Sequence, residues 1–176
     1  MRATRPDRRS QRHQGRSRIA PIGAAASALI ASATLSGCAA SIHVVPAPDA
    51  ANPVCASVVL ALPEVLAGLH RISTTSQGTA AWGDTTTSVV LRCGVTPLGP
   101  TTDPCVTITD TTGTSIDWVV TANGSRAGGS WTFVTFGRTP SVELTIPQTL
   151  AADQPDTILM EVGQAAAVVP PQRTCT

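Results

Sequence analysis

Trp131-Thr132-Phe133-Val134-Thr135-Phe136, then Gly137-Arg138-Thr139-Pro140, then Ser141-Val142-Glu143-Leu144-Thr145-Ile146 is the stretch that decides the fold. Both six-residue runs alternate. Trp131, Phe133 and Thr135 face one way and Thr132, Val134 and Phe136 the other; Val142, Leu144 and Ile146 share a side. Period-two alternation on either side of a Gly/Pro-bearing connection reads as two strands joined by a turn. The same pattern extends toward the N-terminus. Cys105-Val106-Thr107-Ile108-Thr109 alternates, Thr112-Gly113 marks a turn, and residues 116–121 follow as a strand. Asn123-Gly124 opens a longer loop. Further upstream, Ser88-Val89-Val90-Leu91-Arg92 is a fifth run. Short β-rich segments punctuated by Gly, Asn and Pro argue an antiparallel sheet, and the abundance of threonine suits its solvent-facing positions.

Helices bracket this sheet. Asn52-Pro53 is a helix start, with Asn as N-cap and Pro in the first turn. Val58, Leu62, Val65 and Leu69 then recur at helical spacing, with Pro63 as a kink or the start of a second helix, and His70-Arg71 as cations at the C-terminus. A last helix starts near Pro155-Asp156. Ile158, Val162, Ala165 and Val169 form its apolar stripe, and Pro170-Pro171 ends it. The expectation is an α+β domain: an antiparallel sheet of four to five strands with an N-terminal and a C-terminal helix on one face.

What precedes this domain carries the clearest functional signal. Seven arginines and one acid occupy the first eighteen residues, residues 19–35 carry no charge, and Leu35-Ser36-Gly37-Cys38 closes the segment. A basic start, an apolar stretch and small residues before a cysteine form a bacterial lipoprotein signal. The division expected is a signal peptide over 1–37, lipidated Cys38 with an Ala/Pro tether over 38–52, and one folded domain over 53–176. Arg8-Arg9 raises twin-arginine export, but Ser10-Gln11-Arg12 supplies none of the apolar residues that signal uses. Sec and twin-arginine routes both stay open.

Assigning Cys38 to lipid changes the rest of the arithmetic. Beyond it stand five arginines and ten acids, no lysine, and so a net charge of 5 − 10 = −5. Such a surface has no electrostatic footprint for nucleic acid and none for peripheral attachment to anionic lipid. The membrane is expected as a partner only through the acyl chains on Cys38, and two or three chains anchor stably where one does not. Four cysteines remain, and an even number outside the cytoplasm reads as two disulfides. The favoured pairing is Cys93–Cys105, closing a Pro-rich loop, with Cys55–Cys175 tying the domain ends. With no Cys-x-x-Cys and two histidines beyond Cys38, no metal and no cofactor is expected.

Candidate sites are few. His43 falls in the tether and His70 at the expected helix end, no Gly-x-Ser-x-Gly occurs, and Ser125 lies in a loop by composition, so no catalytic set emerges. A cell-wall hydrolase is the weakest reading. Trp82, between alanines and Gly83-Asp84, is the candidate for an exposed ligand or partner contact. Arg92 and Arg138 are candidates for an anionic ligand, with ion pairs to Asp84, Asp103 or Asp117 as their alternative use.

Ala81-Trp82-Gly83-Asp84, the run from Val89 through Arg92-Cys93-Gly94-Val95, Ile116-Asp117-Trp118, and Thr135-Phe136-Gly137-Arg138-Thr139-Pro140 occur between an early Cys55 helix and a final Arg173-Thr174-Cys175. With this spacing the chain resembles a family of small actinobacterial envelope lipoproteins known only as a domain of unknown function. The resemblance implies export, lipidation and disulfides, and brings no activity with it. The functional expectation is a lipid-anchored, non-enzymatic module on the outer face of the cytoplasmic membrane, binding an envelope protein partner. A carrier of a lipid or other apolar ligand is the alternative.

Overall fold

The computed structural model describes residues 40–122, 129–151 and 155–176. The signal segment, Cys38, Ser125 and the Asn123-Gly124 opening lie outside them. The elements, in chain order, are β1 (Ser41–Ile42), α1 (Pro53–Leu60), β2 (Val65–Leu66), β3 (Leu69–Thr74), β4 (Thr79–Gly83), β5 (Ser88–Val95), β6 (Cys105–Thr109), β7 (Ser115–Ala122), β8 (Ser130–Thr135), β9 (Ser141–Pro147), α2 (Gln148–Ala151) and α3 (Asp156–Ala167). The strands form one nine-stranded sheet in the order β1-β3-β4-β5-β9-β8-β7-β6, with β2 added on β3. Among the described residues, only the β1–β3 pairing is parallel, so the sheet is mixed rather than purely antiparallel as expected. The chain meanders through β3, β4 and β5, crosses to the far edge at β6, and meanders back until β9 lies against β5.

The α+β class and the five alternating strands hold; the strand count does not. The N-terminal helix is also shorter than its spacing predicts. Asn52 caps it, its side chain accepting from the Val54 N–H at 3.0 Å, but it ends at Leu60. Pro63 breaks the pattern, so Leu66 is fully buried while Val65 is 44% exposed. Val65 and Leu66 instead pair with His70 and Leu69 around a two-residue turn. Ala67 and Gly68 both have positive φ there, 49° and 80°, the requirement of a type I′ hairpin. His70 is therefore a strand residue rather than a helix cap.

The two longer helices, α1 and α3, pack together on one face of the sheet. The stripe Ile158, Val162, Ala165 and Val169 is buried against Val58 and Leu62 from the α1 segment and against Val89, Leu91, Ile116, Trp118, Leu144 and Ile146 from the sheet. Each large apolar side chain so buried contributes roughly 1.5–3 kcal/mol of transfer free energy. The opposite, outer face carries a smaller cluster of Ala47, Ala50, Val95 and Val134 with Leu98. Ala47 and Ala50 come from the segment expected to be a tether. That segment is part of the fold. Val44 is buried, the Asp49 N–H donates to the Gly94 C=O at 3.0 Å, and β1 pairs with β3.

The disulfides also differ from expectation. Cys55 pairs with Cys93 and Cys105 with Cys175, at Cα separations of 5.4 and 6.1 Å. Cys93–Cys105 is excluded by topology, because β9, β8 and β7 lie between β5 and β6. Cys93 points instead to the helix face, where Cys55 in α1 meets it, and the exposed Cys105 meets the C-terminal tail.

The β6–β7 turn is anchored by Asp110. Its Oδ1 accepts from the Thr112 hydroxyl at 2.7 Å and the N–H groups of Thr112 and Thr114 at 2.8 and 2.9 Å, and its Oδ2 accepts from the Gln164 amide of α3 at 2.7 Å. These donors, the Thr112 hydroxyl first, hold the carboxyl down to about 2 from its ordinary 3.8. A depressed folded-state value stabilises the fold above the unfolded-state value, and that contribution is lost as pH falls from 3.8 through about 2. Urea midpoints measured across this interval are expected to fall less steeply in Asp110→Asn than in the wild type. Equal slopes would remove Asp110 from the acid response.

Candidate functional site

Two terminal segments lie across the outer face of the sheet, and each bounds a groove. The C-terminal tail is held at four places. Pro171 bridges to Arg138, the Gln172 N–H donates to the Gly137 C=O at 2.6 Å, the Cys175 N–H donates to Asp117 Oδ2 at 2.9 Å, and Cys175 is bonded to Cys105. Arg173 lies over the Phe136 ring, 5.8 Å from its centroid. On one side of the tail is a cleft of about 280 Å³ with Thr107, Asp117, Phe136 and Arg138 among its walls. On the other is one of about 470 Å³ bordered by Pro100, Asp103, Cys105 and Val119.

Asp117 and Arg138 in this cleft are engaged within the fold, except that the buried Arg138 Nε has no hydrogen-bond partner. Asp117 Oδ1 accepts from the Thr107 hydroxyl at 2.6 Å, and its second oxygen takes the Cys175 N–H. Arg138 is only 5% exposed. Its guanidinium donates to the Val169 C=O, just beyond the end of α3, and at 3.5 Å to the Ser115 C=O at the start of β7. Burial pushes its pKa below the ordinary guanidinium value, and the Asp117 charge pulls it back up. Arg138 therefore clamps α3 to the sheet, using a cation where the helix dipole and unsatisfied carbonyls favour one. Arg173, at the mouth, is the exposed cation.

The other expected contacts separate from this cleft. Trp82 is fully buried, because β4 is an interior strand between β3 and β5. Its Nε1–H donates to the Pro63 C=O at 2.9 Å, and Arg71 lies 6.0 Å above its ring. It is a core residue, which corrects its reading as an exposed contact. Arg92 is in an ion pair, though with none of the three acids expected. Glu143 faces it across β5 and β9, and its Oε1 accepts from Nε at 2.8 Å and lies 2.7 Å from Nη2. Arg92 Nη1 also reaches the Val45 C=O at 3.4 Å. This pair borders a second, open groove of about 490 Å³, with His43, Val90 and Thr145 along it.

Sequence reasoning named Asp117 as an arginine partner, and its charge does act on Arg138, but it missed Glu143 and Arg173, and the two glycines that seat the segments. Gly94 (φ 96°) and Gly137 (φ 64°) have left-handed φ, and a Cβ on either would overlap backbone of the segment above it, Asp49 and Arg173 respectively. Only glycine allows so close an approach. The quoted motifs Arg92-Cys93-Gly94-Val95 and Gly137-Arg138-Thr139-Pro140 thus mark where the chain's two terminal segments dock. No curated protein and no solved structure matches the chain. A family model matches residues 19–174, nearly the whole length and all of the docking motifs just described, and the chain belongs to that family, described as a protein of unknown function, DUF3515.

Proposed function

We propose that this protein is a lipid-anchored, exported module at the outer face of the cytoplasmic membrane, non-enzymatic, and built to bind or assemble an envelope protein partner. The observation that carries the reading is the distance along the chain between its signal and its fold. Leu35-Ser36-Gly37-Cys38 is followed by only Ala39 and Ala40 before β1 begins at Ser41. Three residue steps span at most about 10 Å. An acylated Cys38 would therefore hold the domain against the headgroups, where the fourteen-residue tether would have allowed about 50 Å. A rigid body at a fixed height suits an assembly element better than a reaching one. The negative charge beyond Cys38 leaves attachment to the lipid and not to anionic headgroups.

The carrier reading has less support. An apolar groove among the described residues, along Val106, Ile108, Val120, Trp131, Phe133 and Leu159, is about 300 Å³ and lies open at the sheet edge. Drug-sized or larger apolar ligands are usually enclosed on most sides.

The test is Cys38→Ser in cells fed a clickable fatty acid. The wild type is expected to take up label and partition with membranes. The variant is expected to lose all label and either stay uncleaved or be released. A variant that remains acylated and anchored would overturn the proposal.

A further inference from the structure

β6 is an open edge with a defined hydrogen-bonding register. It pairs with β7 from Cys105↔Val119 to Thr109↔Ser115. At one end the Val120 N–H donates to the Pro104 C=O at 2.9 Å, and at the other the Asp110 N–H donates to the Thr114 C=O at 2.9 Å. In an antiparallel ladder the bonded pairs recur every second residue. Residues 104, 106, 108 and 110 therefore turn their backbone groups toward β7, and Cys105, Thr107 and Thr109 turn theirs outward. Among the described residues nothing pairs with those outward groups. The tail reaches β6 through the Cys105–Cys175 disulfide, by a side chain on the outer face, and its hydrogen bond and ring contact go to Asp117 and Phe136, so the outward backbone groups of β6 have no bond from it. The opposite edge of the sheet is β1, two residues long. An uncharged, uncovered edge is a template for another strand.

We infer that this edge is the interface for a second copy of the same chain, paired antiparallel through β6 about a two-fold axis at Thr107. The residue types select that occupant over an unrelated strand. In this register Val106 faces Ile108 of the second copy and Ile108 faces its Val106, both on the helix face. Thr107 faces Thr107, and Cys105 faces Thr109, on the outer face. Apolar residues meet apolar ones and threonine meets threonine, the pairs that stabilise sheets. No carboxylate meets a carboxylate, because Asp110 falls opposite Pro104. The outward pairs 105–109, 107–107 and 109–105 each exchange two backbone bonds. The exposed Val106 and the apolar groove beside it are covered at the same step. Such an interface is isologous and closes at two copies, since pairing consumes the edge. The pairing uses no acyl chain and does not depend on the anchoring proposal.

The experiment is sedimentation equilibrium of the full-length chain in a mild detergent over a wide concentration range. The mass is expected to rise from one copy to two. Thr107→Lys sets like charges face to face across the axis while its own ammonium has Asp117 beside it within the chain. It is expected to weaken the dimer about tenfold or more. Thr107→Val, which keeps a β-branched residue, is expected to pair. Amide exchange at Thr107 and Thr109 should slow with concentration in the wild type and not in Thr107→Lys, with protection at Leu91 and Leu144 unchanged as the measure of intact folding. A single-copy mass at every concentration, a dimer indifferent to Thr107→Lys, or an edge filled by a different protein's strand would each overturn the inference.

Discussion

Non-reducing peptide mapping is expected to link Cys55 to Cys93 and Cys105 to Cys175, and replacing Cys55 and Cys93 by alanine is expected to lower the unfolding free energy by about 4 kcal/mol from the lost constraint alone, with a cavity cost added. The cross-linked residues are separated by 38 positions in the first bridge and 70 in the second. Loop-closure entropy is nearly the same for both, since it grows only with the logarithm of loop length. Packing separates them. Cys55 and Cys93 are fully buried between α1 and β5, in the same cluster as Trp82 and Leu91. Their removal leaves a cavity in addition to the lost constraint. Cys105 is exposed on the edge strand, so the Cys105/Cys175 double alanine is expected to lose the entropic part and free the tail, with the core intact. Urea unfolding of both variants under oxidising conditions provides the measurement. A Cys55–Cys175 link in the map, the pairing that would tie the domain ends, would contradict the topology itself.

That error of pairing shows what the sequence could and could not carry. Alternation is a local property, and it placed Cys105–Thr109 to the residue and Ser141–Pro147 to within one. Strand order is not local. Nothing in the residues between Val95 and Cys105 says that this loop crosses four strand positions to the far edge. A reader who assumes neighbours in sequence are neighbours in space joins Cys93 to Cys105. The same limit hid Glu143 from Arg92, because the two are partners only once β5 and β9 are adjacent.

The missed strands have a second cause. In β4, Thr79, Ala80, Ala81 and Trp82 are all buried, so no polar–apolar period survives to be read. β2 and β3 were absorbed into a helix by Val65 and Leu69 at helical spacing. The contrary signal, Ala67-Gly68, is weak because alanine rarely takes positive φ. The candidate sites followed from this. Trp82 looked exposed because the residues around it are small and end in Gly83-Asp84. Those small residues are what let an interior strand be covered on both faces. The outer-face segment was hidden by the same small-residue chemistry: Ala47, Pro48 and Ala50 have the composition of a linker, yet alanine against glycine is what allows a backbone to lie flat on a sheet.

Gly94→Ala is accordingly expected to cost roughly 2–4 kcal/mol. Gly94 sits at an irregularity in β5, where the register with β9 shifts between Cys93 and Val95. Its φ of 96° disfavours any side chain. That part of the cost has a matched control. Gly113 has a φ of 91° with nothing within 4 Å of its would-be Cβ, so Gly113→Ala carries the conformational cost alone, about 1 kcal/mol. At Gly94 the added methyl also meets the Asp49 carbonyl and the Ala50 N, both backbone, and neither can move without lifting the segment. The Asp49 N–H···O=C bond to Gly94 and the burial of Ala47 and Ala50 go with it. The difference between the two variants in denaturant midpoint therefore measures the docking of residues 40–52. Limited proteolysis should report the same event as new cleavage within that stretch in Gly94→Ala and none in Gly113→Ala. If both variants lose equal stability and both resist the protease, the segment contributes nothing to the fold. Under the anchoring proposed above, a freed segment would also act as the fourteen-residue tether and lengthen the domain's reach from an acylated Cys38 from about 10 to about 50 Å.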